Sequence, residues 1–226
     1  MTLSSRRAAL GMLATAAFAA AIPAGASAHA RSAATTASLS GTLKIRAGTF
    51  AAGKPAGSYF RMALPGGANY FANPGSSATD KSYTLLKPGT AGGLVLGKYQ
   101  SAAPFDASGN SQAGAIIRPT PFAGILFGVA TLRREPAGAP ASAAPSATLK
   151  GSKLSVQISA LTAAWNKLFF NQGTPKPGSR KPLATGTFKQ KTNAYTLDWR
   201  STIAGGPFNG FTGVWHLEGT FKGKLR

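Results

Sequence analysis

Two segments near the end of the chain carry most of the side chains that could do chemistry. Asp198 and Arg200 alternate with apolar residues in one segment, and His216 and Glu218 do so in the next. Residues two apart on a strand share a face, so antiparallel pairing of the segments would bring all four side chains together. A carboxylate that orients His216, with Glu218 as acid or base, is a common arrangement for hydrolysis.

The same four side chains also fit a purely structural role, and this interpretation is preferred. If the acids neutralise nearby Arg200 and hold the register of two strands, each surface ion pair contributes little to stability. The sequence contains no cysteine and only two histidines, so a catalytic thiol is excluded and a multi-histidine metal site cannot be built. We therefore expect no metal and no cofactor, and the candidate catalytic residues are limited to Asp198, His216 and Glu218.

Three loop-like segments combine aromatic rings with amide side chains. Rings can stack on the apolar faces of sugars while amides bond their hydroxyls, so these segments are candidate glycan-binding loops. Alternatively, Asn and Gly make the turns while the rings cover the core. The candidates are Tyr70, Phe71, Asn73, Trp165, Phe170, Asn171, Phe208, Asn209 and Phe211.

Basic residues dominate the chain and accumulate in one long stretch without acids. There are 25 Lys and Arg residues against 5 Asp and Glu, and no acid occurs between Glu135 and Asp198. Prolines in residues 174–182 should keep a loop extended and display its charges. The residues predicted to bind polyanions are Lys176, Arg180, Lys181, Lys189 and Lys191.

The first 30 residues have the pattern of a cleaved export signal. Arg6 and Arg7 precede an apolar run over residues 8–22, and small-residue cleavage sites end at Ala28 and Ala30. The paired arginines resemble a twin-arginine signal, and an ordinary Sec signal is the alternative. The apolar run is too short to span a bilayer, so no transmembrane segment is expected after cleavage.

Residues 31–226 are predicted to form a single all-β domain. Gly and Pro interrupt the chain too often for a long amphipathic helix, whereas short alternating apolar runs recur. About ten short strands favour an antiparallel β-sandwich, with a closed β-barrel as the alternative. Residues 122–131 are apolar on both faces, which predicts a central strand. Residues 135–147 are rich in Pro and Ala, which predicts a flexible loop.

The clearest hairpin should position the candidate catalytic residues. It joins residues 183–190 to residues 194–203, and a last strand over residues 212–222 follows a glycine-rich turn. Pairing of the last two strands predicts an aromatic core wall behind the polar face. The residues of this wall are Tyr195, Leu197, Trp199, Trp215, Leu217 and Phe221.

Three functional hypotheses follow for a secreted bacterial protein. The preferred one is a non-enzymatic binding or structural protein that associates with the cell envelope. Its partners would be anionic polymers or phospholipid headgroups at a membrane surface, and the export signal makes nucleic acid an unexpected physiological partner. The alternatives are a glycan-binding domain that uses the loop aromatics and a small hydrolase that uses His216 with Asp198 or Glu218.

Overall fold

A computed structural model describes residues 35–101, 105–134 and 140–226, which belong to one compact unit. The expected export signal lies outside the described residues. Regular structure in the described part is almost entirely β, with one short 3-10 turn at Gly206–Phe208, which confirms the all-β prediction. The strands are β1 Thr36–Ile45, β2 Thr49–Ala51, β3 Lys54–Ala56, β4 Tyr59–Ala63, β5 Thr84–Leu85, β6 Gly93–Val95, β7 Thr120–Phe122, β8 Ile125–Thr131, β9 Ser146–Lys150, β10 Lys153–Gln157, β11 Leu161–Trp165, β12 Leu168–Asn171, β13 Ala184–Lys189, β14 Ala194–Thr202 and β15 Thr212–Leu225.

Six of these strands close into an antiparallel barrel. The neighbours run in the order β1, β9, β10, β13, β14 and β15, and β15 pairs back with β1. Strands β4, β5 and β6 extend the same sheet outside the barrel, while β7, β8, β11 and β12 form a second sheet. The architecture is thus the closed barrel, which was the alternative, and not the preferred sandwich.

The residues of the predicted aromatic wall belong to the buried core. All six residues predicted for it are buried, and the rings of Trp199 and Trp215 stack in parallel with centroids 5.5 Å apart. Both indole N–H groups donate to Gln172: Trp199 to its backbone oxygen at 2.8 Å and Trp215 to Oε1 at 3.1 Å. The last two strands therefore turn their apolar face inward and their polar face to solvent.

Strand β15 changes partner halfway along its length. Its first residues pair with β4, up to His216 opposite Tyr59, and its residues from Gly219 onward pair with β1. Between the two pairings, the backbone of Glu218 exchanges hydrogen bonds of 3.0 and 3.1 Å with the hydroxyl of Ser58. The candidate catalytic side chains consequently stand on the outer face where β1, β4, β14 and β15 meet.

Two predicted segments differ in the structure. The apolar run 122–131 is not one strand, because Ala123 and Gly124 take φ angles of 47° and 80° and turn the chain between β7 and β8. In the predicted loop 135–147, residues 135–139 lie outside the described residues, and the last two already belong to β9. Ser142 is buried there, and its backbone N–H donates to the Arg133 carbonyl at 2.7 Å.

Candidate functional site

A row of alternating charges, here called the ion ladder, crosses the outer face of the barrel through Asp198, His216, Glu218 and Arg46. The Nδ1 atom of His216 lies 2.6 Å from Asp198 Oδ1, and its Nε2 lies 3.2 Å from Glu218 Oε1. The other oxygen of Glu218 pairs with the Arg46 guanidinium. The two carboxylates thus pair with His216 and Arg46, whereas the sequence pointed to Arg200.

Strand register explains why these side chains meet. Asp198 on β14 is directly opposite His216 on β15, as the antiparallel pairing of the last two strands predicts. Glu218 is the next outward residue on β15, and Arg46 directly follows the end of β1. The imidazole of His216 also stacks on the ring of Tyr59 with centroids 4.9 Å apart, so its orientation is fixed.

The environment of His216 favours its charged form. Hydrogen bonding to Asp198 is the largest effect and raises the pKa of His216, with further help from Glu218 and against the opposing effect of burial. An imidazole with a carboxylate at each nitrogen donates through both and has no free lone pair with which to accept a proton. The hydroxyl of Ser58 is buried and already bonded to the Glu218 backbone. This arrangement suits charge pairing better than acid–base catalysis.

We expect the ion ladder to make stability depend on pH. A His whose folded pKa is raised stabilises the fold fully below its unfolded pKa of about 6.5, and this contribution is lost as pH rises through the folded pKa. The free energy of unfolding should therefore fall above about pH 6.5, and His216→Gln should flatten that fall. Urea unfolding of both proteins between pH 6 and pH 8 measures this. If the free energy of unfolding changed with pH in the same way for both proteins, the result would contradict a role of His216 in the pH dependence.

Next to the ion ladder, the outer face of the barrel holds a groove of about 580 Å³, here called the outer groove. Its floor consists of small side chains on β13, β14 and β15. Lys189 borders it on one side, and Lys44 and Arg46 border it on the other. The floor side chains are those of Thr187, Ala194, Thr196 and Thr220.

The five predicted polyanion-binding residues fall into two groups. Arg180 and Lys181 are exposed in the loop before β13, while Lys189 and Lys191 are exposed at the end of that strand and in the turn that follows. A six-residue strand spans about 20 Å, so the groups lie at opposite ends of β13. Lys176 is bonded within the fold, because its ammonium donates to the Asn171 carbonyl at 2.8 Å.

Sequence reasoning missed two basic residues of the outer groove, Lys44 and Arg46. Alternation along the first strand predicts that they share a face, but it does not say which strand lies beside them. Lys44 is opposite Thr220, because β1 pairs with the second half of β15. This contact joins distant parts of the sequence, and no local spacing predicts it.

The three aromatic loops converge, but they do so on the core. The ring centroid of Phe208 lies within 6.3 Å of four other ring centroids. The distances are 5.0 Å to Trp165, 5.8 Å to Phe211, 6.2 Å to Phe71 and 6.3 Å to Phe170. These rings are buried or partly buried against the core cluster. They fill space between packed elements and do not form an open stacking platform.

The amide candidates are engaged in turns. Asn73 is 1% exposed, and its Nδ2 donates to Thr84 Oγ1 and to the Pro121 carbonyl, both at 2.9 Å. Asn171 and Asn209 accept backbone N–H groups two and four residues away, respectively. This is the turn-forming role given above as the alternative to glycan binding.

Tyr70 is the exception among the glycan-binding candidates. Its ring is partly exposed. The guanidinium carbon of Arg61 lies over one face of this ring, 3.3 Å from its centroid. Such a cation–π contact already occupies one face of the ring. Glycan binding through this residue stays a prediction.

Among the described residues, no group of three or more His, Cys, Asp or Glu side chains is arranged to hold a metal ion. Asp198 and Glu218 face opposite nitrogens of His216, so their oxygens do not converge on a common centre. In the same part of the chain, no helix has the length and apolar character needed to cross a bilayer.

The fold and site together describe a β-barrel whose outer face carries an ion ladder beside a cation-walled groove. Comparison of the chain with protein-family models, curated proteins and solved structures gives no match.

Proposed function

We propose that the protein is a secreted, non-enzymatic binding protein that associates with anionic polymers of a bacterial cell envelope. The observation that carries the proposal is the outer groove, a concave surface on the barrel with cationic walls formed by Lys44, Arg46 and Lys189. A concave surface lined mainly by one sign of charge concentrates ligands of the opposite sign.

The acids near the outer groove are already neutralised by other residues. Glu218 is bonded to both His216 and Arg46, and Asp198 is bonded to His216. These acids therefore do not cancel the positive electrostatic field of Lys189 and Lys191. The loop with Arg180 and Lys181 adds a second positive region at the other end of β13. Two separate positive regions suit a ligand with many negative charges, because the second contact follows at high effective concentration.

We expect the association to weaken strongly with salt and to depend on the five predicted residues. Screening shortens the reach of exposed charges from about 10 Å at 0.1 M to about 3 Å at 1 M ionic strength. Replacing the five with Gln should weaken binding at least about tenfold, or about 1.4 kcal/mol, and flatten the salt dependence. Co-sedimentation of the purified protein with isolated cell walls measures both effects. The replaced residues are Lys176, Arg180, Lys181, Lys189 and Lys191.

A matched variant separates local from overall charge. It removes five exposed basic residues that lie outside the acid-free stretch, and it should retain most of the wall binding. Equal losses in the two variants would show that only net charge matters, and salt-insensitive binding by the parent would contradict the electrostatic proposal. The control replaces Lys54, Lys87, Lys98, Arg118 and Arg134 with Gln.

A further inference from the structure

We infer that the outer groove is a binding site for a single phosphorylated polyol unit. The inference rests on the proposed function, because such a unit is the repeat of a phosphodiester polymer. The same chemistry occurs in the headgroup of a glycerophospholipid, so the test has to separate the two sources.

The dimensions of the outer groove follow from the strand register. Lys189 on β13, Ala194 on β14, Thr220 on β15 and Lys44 on β1 lie side by side across the barrel. Three strand spacings separate the two lysines, which is about 14 Å at the backbone. The two residues between these lysines, Ala194 and Thr220, have short side chains, so the floor is low there. A groove of about 580 Å³ lies within the usual range for sites that bind small molecules.

The floor suits a polyol. Thr187 and Thr196 are opposite each other, and their hydroxyl oxygens lie 2.9 Å apart, so each can still bond a ligand hydroxyl. The methyl groups of these threonines and of Ala194 offer small apolar contacts for C–H groups. Among the described residues that line the outer groove, Tyr195 is the sole aromatic one, and it is 3% exposed, so these residues offer no ring on which a base would stack.

The walls suit a phosphate. Arg46 is held by Glu218, whereas the ammonium of Lys44 donates to the Ala91 carbonyl at 2.8 Å on the β6 side of β1, so Lys44 lines the outer groove with its stem and adds its positive charge from the edge. The guanidinium of Arg46 is therefore placed before a ligand arrives, which lowers the entropic cost of binding. Lys189 stands exposed on the opposite wall. Three cations against one paired carboxylate leave the outer groove positive, as a phosphate monoester or diester requires.

The test uses glycerol 3-phosphate as the probe, with glycerol and inorganic phosphate as partial probes. In an NMR titration of the isotope-labelled protein, we expect the amide signals of Thr187, Thr196 and Thr220 to shift with glycerol 3-phosphate. Each partial probe should bind at least about tenfold more weakly, because it engages only the floor or only the walls. Equal binding of inorganic phosphate and glycerol 3-phosphate would overturn the assignment to a polyol unit.

Lys189→Gln and Lys191→Gln form a matched pair, because both residues are exposed and two positions apart but only Lys189 lines the outer groove. Lys189→Gln should weaken glycerol 3-phosphate binding about five- to tenfold, and Lys191→Gln less than about twofold. Ala194→Gln should also block binding, because it fills the floor without changing the charge. Equal effects of the two lysine variants would overturn the inference.

The outcomes also separate this inference from the proposed function. If the protein binds isolated cell walls but glycerol 3-phosphate causes no shifts of its amide signals, the assignment of the outer groove fails and the proposed association with polymers stands. If neither binds, both fail. Vesicles with and without phosphatidylglycerol identify the source of the phosphorylated polyol unit. Binding to isolated cell walls but not to the anionic vesicles indicates a polymer unit, and binding to the anionic vesicles indicates a lipid headgroup. Either result supports the site only where Lys189→Gln weakens the observed binding.

Discussion

Replacing Gly219 with alanine is expected to destabilise the barrel by about 3 kcal/mol, near the upper end of what overpacking costs. A Cβ atom at this position would lie 1.7 Å from the backbone oxygen of Lys44 and 2.8 Å from its carbonyl carbon. Both are main-chain atoms, so no side-chain rotation relieves the clash. Strand β1 would have to move away from β15, at the contact that closes the barrel.

The measurement is thermal unfolding, where a loss of about 3 kcal/mol lowers the midpoint by about 6–12 °C for a domain of this size. Gly114→Ala is the matched control, because its Cβ would meet nothing closer than Pro119 Cδ at 3.3 Å, and we expect it to cost less than about 1 kcal/mol. A Gly219→Ala protein as stable as the control would contradict the close contact between β1 and β15.

Replacing Asn73 with alanine is the second change from which we expect a large loss of stability. The Asn73 amide group donates to Thr84 and to the Pro121 carbonyl and accepts from the N–H groups of Gly75 and Ala123. Four bonds worth about 0.5–1.5 kcal/mol each predict a total loss of about 2–6 kcal/mol. The groups left behind would lose their partners in a buried place.

This substitution also separates the two interpretations of Asn73. A residue that contacts a glycan at the surface would affect binding and leave unfolding nearly unchanged, whereas a buried structural amide does the reverse. Asn69→Ala, in the exposed part of the same loop, should change the free energy of unfolding by less than about 0.5 kcal/mol. Urea unfolding of the parent and both variants measures the difference, and a fully stable Asn73→Ala protein would restore the glycan interpretation.

Alternation along single strands was sufficient to predict the strands that carry the site. The hairpin of β13 and β14 and the long strand β15 lie close to their predicted bounds, and Asp198 meets His216 across them. Both features depend on neighbouring parts of the sequence, where the turn fixes the register. This is why the meeting of Asp198, His216 and Glu218 was predictable.

Features that depend on distant pairing were not predictable in the same way. Arg46 replaces the expected Arg200 as the partner of Glu218, because β1 ends beside β15. The same pairing decides between barrel and sandwich. Strand β7 was missed because the turn at Ala123 and Gly124 is surrounded by apolar residues and lacks the usual polar turn residues. Burial of the loop aromatics depends equally on packing across the chain.

The position of β15 as partner of β1, β4 and β14 also bears on how fast the protein folds. Leu43 pairs with Phe221, so the contact that completes the barrel joins residues near opposite ends of the described chain. Contacts of such large sequence separation raise the contact order, and β-proteins of this kind fold over about milliseconds to seconds. The outer groove needs β1, β13, β14 and β15 together, so it exists only after this late contact has formed. A peptide copy of the β13–β14 hairpin would keep Lys189 and Lys191 but would lack the outer groove.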